Sequence, residues 1–240
     1  MAGGGSIHTK LLDALVEHFR ALGEERSGES TFWAWSRLDD LVHSQPDEAW
    51  RLLGRLIPAV ADSELALANV AAGPLEDLLR LHGVTYAPAV IAAADRAPSV
   101  RDALQMVWPE SFVPEVRDQL ERWREATFMS ALAAYARNGT STDVWAWENL
   151  ADLIPQNADL GWRVLANLLA EVGDSAGAAT KISDGPLQEL LRLHGSTHLA
   201  TVMAAAEGDA RIAQALRRVP TVSLTADVRE ILQGWMRGSA

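Results

Sequence analysis

The groups in this chain that could move a proton or hold a metal ion are six histidines and 32 aspartates and glutamates, with no cysteine. Two arrangements among them have a usable spacing. His194 and His198 are four apart, which on one helix would place two imidazoles on one face and suit a metal ion. Gly195 lies between them and reads as the end of a helix, so no metal site is expected there. The second arrangement is Glu76 with His82, a carboxylate and an imidazole that could act as acid and base. The lack of cysteine removes disulfides, a thiol nucleophile and thiolate metal ligands, and it fits a reducing cytoplasm. There is no Gly-x-Ser-x-Gly elbow, no phosphate-binding Walker loop, no His-Glu-x-x-His and no dinucleotide fingerprint. No cofactor is expected.

Glu76 and His82 belong to the stretch Gly73-Pro74-Leu75-Glu76-Asp77-Leu78-Leu79-Arg80-Leu81-His82-Gly83. It returns as Gly185-Pro186-Leu187-Gln188-Glu189-Leu190-Leu191-Arg192-Leu193-His194-Gly195, with nine of eleven positions identical at an offset of 112 (185 − 73). Read locally, it is a short helix with both ends written in. Gly73 stands at the N-cap and Pro74 at the first helical position. Glu76 stands where a carboxylate reaches back to a free backbone N–H. Gly83 supplies the left-handed terminal residue. The second copy has Gln188 for Glu76, an exchange that a cap tolerates and a general base does not. Glu76 therefore reads as a cap rather than a catalytic group. His82 and His194 read as helix C-terminal residues bonding the last carbonyls, and Arg80 and Arg192 as partners of the acid one turn earlier.

The repeat extends well beyond this stretch. From Trp33 to Trp123 the offset of 112 needs no gap and gives 37 identities in 91 positions. Trp33-Ala34-Trp35 matches Trp145-Ala146-Trp147, Trp50 matches Trp162, and Trp123 matches Trp235. Eight of the nine tryptophans thus fall in matched pairs, as core positions should. Trp108 alone is unmatched, because Pro220 takes its place; it reads as a packing residue, with a binding anchor as the alternative. Trp33 and Trp35 are two apart, about 200° around a helix, so one faces the core and the other a neighbouring helix or groove.

The elements that must position these residues are all helices. Residues 1–10 read as a flexible tail rather than a signal peptide, since no apolar run follows Met1 to Ser6. Leu11 to Leu22 has an apolar stripe of Leu11, Leu12, Leu15, Val16 and Phe19 at helical spacing. Ser30 or Thr31 caps the helix of Trp33 and Trp35, and Pro46 opens the next, which runs to Pro58. Asp62-Ser63 caps a short helix, and Thr85 to Ala94 and Val100 to Trp108 follow. From Pro114 helical spacing persists with no breaker until Gly139, predicting one helix over about 114–138 that joins the repeats and holds them in a fixed relation, with two helices broken near Trp123 as the alternative. Neither copy shows the alternation of strands. The expected fold is all-α: a first unit over 11–123 and a second over 124–240, in HEAT-like or related helical layers.

Charge and hydropathy bound the partners. The net charge is −11, and residues 1–123 carry −8 of it (11 basic, 19 acidic). Nucleic acid and anionic membranes bind through basic surfaces, so neither is an expected partner. No run approaches the roughly 18 uncharged apolar residues of a membrane span. If the acidic surface docks anything, a basic protein fits it.

The run Phe32-Trp33-Ala34-Trp35, then Pro46 and Trp50, then Ala72 to Leu79, His82-Gly83 and Val107-Trp108 resembles a family of short bacterial helical domains of unknown function. The resemblance covers residues from about 11 to 123, and the second repeat more weakly. It implies a helical domain and carries over no activity. The second copy departs from it at Asp184, Gln188 and Pro220.

These readings point first to a non-enzymatic, cytoplasmic protein-interaction module. An immunity or antitoxin-type role is a specific version that rests on analogy alone. The alternative is a small-molecule binder or enzyme, with a groove in the first repeat lined by Trp33 or Trp35, Glu76, His82 and Trp108. A structural subunit of a larger assembly is the third.

Overall fold

A computed structural model describes residues 4–24 and 29–238, with side chains from residue 9 onward. The described residues are all-α, with no strand among them. The first helix, α1 (Gly4–Gly23), begins inside the segment expected to be a tail. The glycines oppose a helix only locally: Ser6 to Leu22 has no proline, and the apolar stripe from Leu11 gives the helix a face to bury. Only Met1–Gly3 of the expected tail lies outside the described residues. No helix among the described residues is long and apolar enough to cross a membrane.

The chain divides into two compact units, Met1–Arg124 and Glu125–Ala240. In the first, α1 lies against α2 (Phe32–Ser44), α3 (Pro46–Val60) and α4 (Glu64–Val70). Next come α5 (Glu76–Ala94), which packs on α2, α3 and α6, and α6 (Pro98–Met106). Leu15, Leu38, Leu53, Leu56, Leu78 and Leu104 are fully buried in its core. Each such leucine contributes about 1.5–3 kcal/mol relative to exposure. The helix α7 (Pro114–Asn138) is continuous, and the division into units falls within it. Gly139 ends it with φ +67°, a left-handed conformation that only a residue without a Cβ adopts freely, and its N–H returns to the Tyr135 carbonyl at 2.8 Å.

The second unit contains α8 (Val144–Gln156), α9 (Ala158–Val172) and α10 (Ala176–Ile182). They are followed by α11 (Gln188–Gly208), α12 (Ala210–Arg218) and α13 (Ala226–Gly238). Here α11 is the helix that α8, α9, α12 and α13 pack on. Leu150, Leu168, Leu190, Leu191 and Leu216 form part of its own core.

Three local readings of the repeated stretch are corrected. Gly73 is not an N-cap. It sits in a wide five-residue turn, Ala71–Leu75, that leads α4 into α5, and leaves helical geometry there (φ −110°, ψ −106°). Gly185 does the same in Ser183–Leu187 (φ −113°, ψ −105°). Glu76 does not reach back to cap: its own N–H bonds the carbonyls of Ala71 and Gly73, and its carboxylate accepts the backbone N–H of Trp108. Gly83 does not end a helix either. α5 bends at His82 (φ −131°, ψ 16°) and continues to Ala94. Gly83 is there for close approach: a Cβ on it would lie 2.9 Å from both γ-carbons of Val116. Gly195 stands in the same relation to Val228, at 2.7 and 2.9 Å.

Ser63 caps α4 as expected, accepting the Ala66 N–H at 3.3 Å. Thr31 occupies the N-cap of α2 but makes no cap bond; its hydroxyl lies 3.2 Å from the His18 ring.

Two outcomes follow from this packing. Gly83→Ala should lower stability by about 1–3 kcal/mol through overpacking against Val116, whereas Gly54→Ala, with open space around it, should not destabilise; urea unfolding of both compares them. Asp209, the N-cap of α12, is held down to about 2 by its bond to the Arg211 side chain. A depressed carboxylate contributes stability above its ordinary value of 3.8 and loses it as pH falls through 2. The advantage of the native chain over Asp209→Asn should therefore be constant above about pH 5 and shrink between pH 4 and 2.

Candidate functional site

The first half of α5 carries Glu76, His82 and Tyr86, and each is tied to a different element. The Glu76 carboxylate accepts the backbone N–H of Trp108, 32 residues on, at 3.1 Å. The His82 ring meets the Val42 carbonyl in the last turn of α2 at 2.8 Å, so Nε2 carries the proton and donates. This replaces the expected bond to its own helix end. Tyr86, buried, donates to the Asp47 carboxylate in the first turn of α3 at 2.5 Å. That bond, and then burial, hold the phenol above its ordinary value of 10. Arg80 pairs with Asp77, not Glu76, at 2.5 Å; the pair is half exposed and of small energetic value.

The same geometry recurs 112 residues on. His194 Nε2 meets the Ile154 carbonyl at 3.0 Å, and His198 Nε2 meets Asp159 at 3.0 Å where the first unit has Tyr86 and Asp47. α11 runs through Gly195, so His194 and His198 do share a helix face, with ring centroids 6.0 Å apart. Each has its Nε2 committed to another partner. No group of three or more potential metal ligands occurs among the described residues.

Thr197, His198 and Asp159 stand in the order hydroxyl, imidazole, carboxylate, with 2.9 Å and 3.0 Å between successive atoms. The Thr197 hydroxyl hydrogen is donated to the His194 carbonyl at 3.0 Å, and the Asp159 side chain is 97% exposed. A nucleophile needs a base free to take that hydrogen, so this line reads as a helix back-bond beside a surface pair.

The two tryptophans of α2 part as their spacing requires. Trp35 packs on the first core and stacks on Phe32 at 5.2 Å. With His18, Leu22, Glu29 and Phe32 it lines a cavity of about 470 Å³. Trp33 is 54% exposed, which removes it from the core positions expected of the matched tryptophans. It lines a separate groove of about 520 Å³ with Lys10, Leu11, Ser36, Arg37 and Asp40. Trp108 is 69% exposed, so packing is not its role. Of the five sequence candidates, the structure therefore joins Glu76 to Trp108. It sets Trp33 and Trp35 on different cavities, and neither cavity includes Glu76, His82 or Trp108.

The residues that sequence reasoning missed are His18, Phe32 and Arg37. His18 is 4% exposed. The signal was present: it stands three after Leu15 and seven after Leu11, on the apolar stripe itself. Arg37 is four after Trp33, the spacing of helix-face neighbours.

Tyr86 gives a pH test of this framework. A group raised in the folded state contributes stability below its ordinary value and loses it as pH rises through the folded one. Tyr86→Phe should lower stability at pH 8, where the native phenol keeps its bond to Asp47. That difference from the native chain should shrink above pH 10 in urea titrations run to pH 11.5.

Residues 22–128 match a family of unknown function (DUF6869). The match spans Phe32 to Trp35, the Gly73 to Gly83 stretch and Trp108. No curated protein and no solved structure matches the chain. Over those residues the chain is similar to a helical domain to which no activity is attached.

Proposed function

We propose that this chain is a non-enzymatic protein-binding module, built by duplication of one helical unit and acting in the cytoplasm. The observation that carries the reading is the exposure of three large aromatic side chains in the first unit: Phe32 at 55%, Trp33 at 54% and Trp108 at 69%. Phe32 and Trp33 stand on α2 and Trp108 on the segment after α6; large aromatics left in water are the residues that dominate protein interfaces once covered. Trp33 stands beside Arg37 over a groove, the residue types most often found at the centre of an interface. The groups that could have supported catalysis support the reading by their use: His82, His194 and Tyr86 each hold one helix to another.

A second reading has one observation in its favour. The cavity beside Trp35 has a buried imidazole, His18, in its wall and a volume within the usual 300–1,000 Å³ of small-molecule sites. A thermal-shift screen of metabolites with native chain and His18→Ala separates the two.

Affinity capture from lysate of the source organism tests the leading reading. The native chain should retain one stoichiometric protein. Trp33→Ala, folded by circular dichroism, should lose at least about tenfold in affinity for it. Equal retention by Trp33→Ala and Trp108→Ala, or metabolite stabilisation with no protein retained, would overturn it.

A further inference from the structure

We propose that Trp108 is the anchor of the interface, and that its partner is a basic protein presenting an apolar pocket rimmed by Lys or Arg. The proposal rests on the protein-binding reading above.

The main chain around Trp108 is fixed from both sides. Its N–H is held by Glu76 at 3.1 Å, and its carbonyl accepts the Ser111 hydroxyl at 3.2 Å. Just before it, Arg124 Nη2 donates to the carbonyls of Leu104, Gln105 and Val107 at 3.1, 3.0 and 2.6 Å. Pro109, next in the chain, is buried and fixes its own φ. The ring on this platform is more exposed than any other tryptophan or phenylalanine among the described residues. A side chain displayed on ordered backbone loses little freedom on binding, which is the condition for an anchor.

Position 220 shows that the platform does not need the ring. Proline has no N–H to give, so a carboxylate at 188 would lose that backbone donor and meet the Pro220 carbonyl oxygen in its place. Gln188 instead donates its amide to that carbonyl at 3.1 Å and to the Ser223 hydroxyl at 2.7 Å. The exchanges Glu76 to Gln188 and Trp108 to Pro220 are thus one coupled change. Either pair ties the segment to the helix. The indole is present in one and dispensable in the other, so its exposure answers no demand of the fold.

The rim gives the sign of the partner. Glu110, exposed, stands two residues after Trp108, and the half-buried Glu76 stands beneath it. At the corresponding place in the second unit Glu110 becomes Val222. Two carboxylates, Glu110 and Glu76, thus stand by the indole, while the nearby Arg124 Nη2 is taken up by three carbonyls, so this face attracts cations, and Lys or Arg beside an aromatic face gains a cation–π contact as well.

The test pans a displayed random-peptide library on the full chain and measures the recovered peptides by calorimetry. Enrichment of Lys or Arg next to a large apolar residue is expected. Trp108→Ala should weaken binding by about 30-fold or more, and Leu65→Ala, which removes an exposed leucine on α4, by less than about twofold. The double change Glu76→Gln with Trp108→Pro should keep the melting temperature and abolish binding, which separates loss of the anchor from loss of the fold. Glu76→Ala should weaken binding, and Glu76→Gln, which keeps an acceptor for the N–H, should restore most of it. Peptides that bind Trp108→Ala as well as the native chain, or that are enriched in acidic residues, overturn the proposal. If those peptides are lost from Trp33→Ala instead, the protein-binding reading stands without it; if none is enriched, both fall.

Discussion

Among the described glycines, the two with least room for a Cβ lie against valines: Gly83 on Val116 and Gly195 on Val228. Nothing larger than hydrogen fits there without displacement. That contact sets how near the start of α7 lies to α5, and much of the first unit's outer edge depends on it. Two turns beyond Val116, Arg124 reaches the last carbonyls of α6, which would otherwise be unsatisfied at the helix end. The segment between α6 and α7 is thereby drawn down onto Glu76. In the second unit the same task falls to Arg229, beside Val228, which holds the carbonyls of Thr221, Val222 and Leu224. Burial lowers the pKa of Arg124, yet a guanidinium keeps its charge under such pressure better than an ammonium would.

The histidines show how polar groups are used in this fold. His82 and His194 lie inside their units and could have been poised for proton transfer. Each instead donates to a carbonyl in the final turn of the preceding helix pair, at 2.8 and 3.0 Å. A terminal carbonyl has no partner within its own helix, so the bond settles one helix end and cross-links two helices together. Asp47 and Asp159 complete the frame, one taking a phenol and the other an imidazole.

Much of the architecture was readable from the residues alone. Apolar stripes, the prolines at 46 and 114 and the absence of alternation gave the all-α class, and the separation of Trp33 from Trp35 followed from 100° per residue. The failures share one cause. Gly73, Glu76, His82 and Gly83 have the types and order of a capped helix, and local signals were read as local interactions. Gly73 forms a wide turn, the partners of Glu76, His82 and Gly83 lie 32 to 40 residues away, and a glycine needed for close approach is indistinguishable in sequence from one needed for a turn. The coupled exchange of Glu76 and Trp108 was visible as two separate departures in the second copy. Only the hydrogen bond between them shows that they are one.

The wide turns Ala71–Leu75 and Ser183–Leu187 act on the chain as phase markers. Each sets the angular position at which the following long helix begins. One residue more or fewer there would rotate that helix by about 100°. The acid, the imidazole and the phenol or its substitute would then all face away from their partners at once. Side chains in this region can drift singly or in pairs, but the residue count between them cannot. An alignment of 91 positions without a gap, in which more than half of the side chains differ, is the record such a constraint leaves between two matched stretches of sequence.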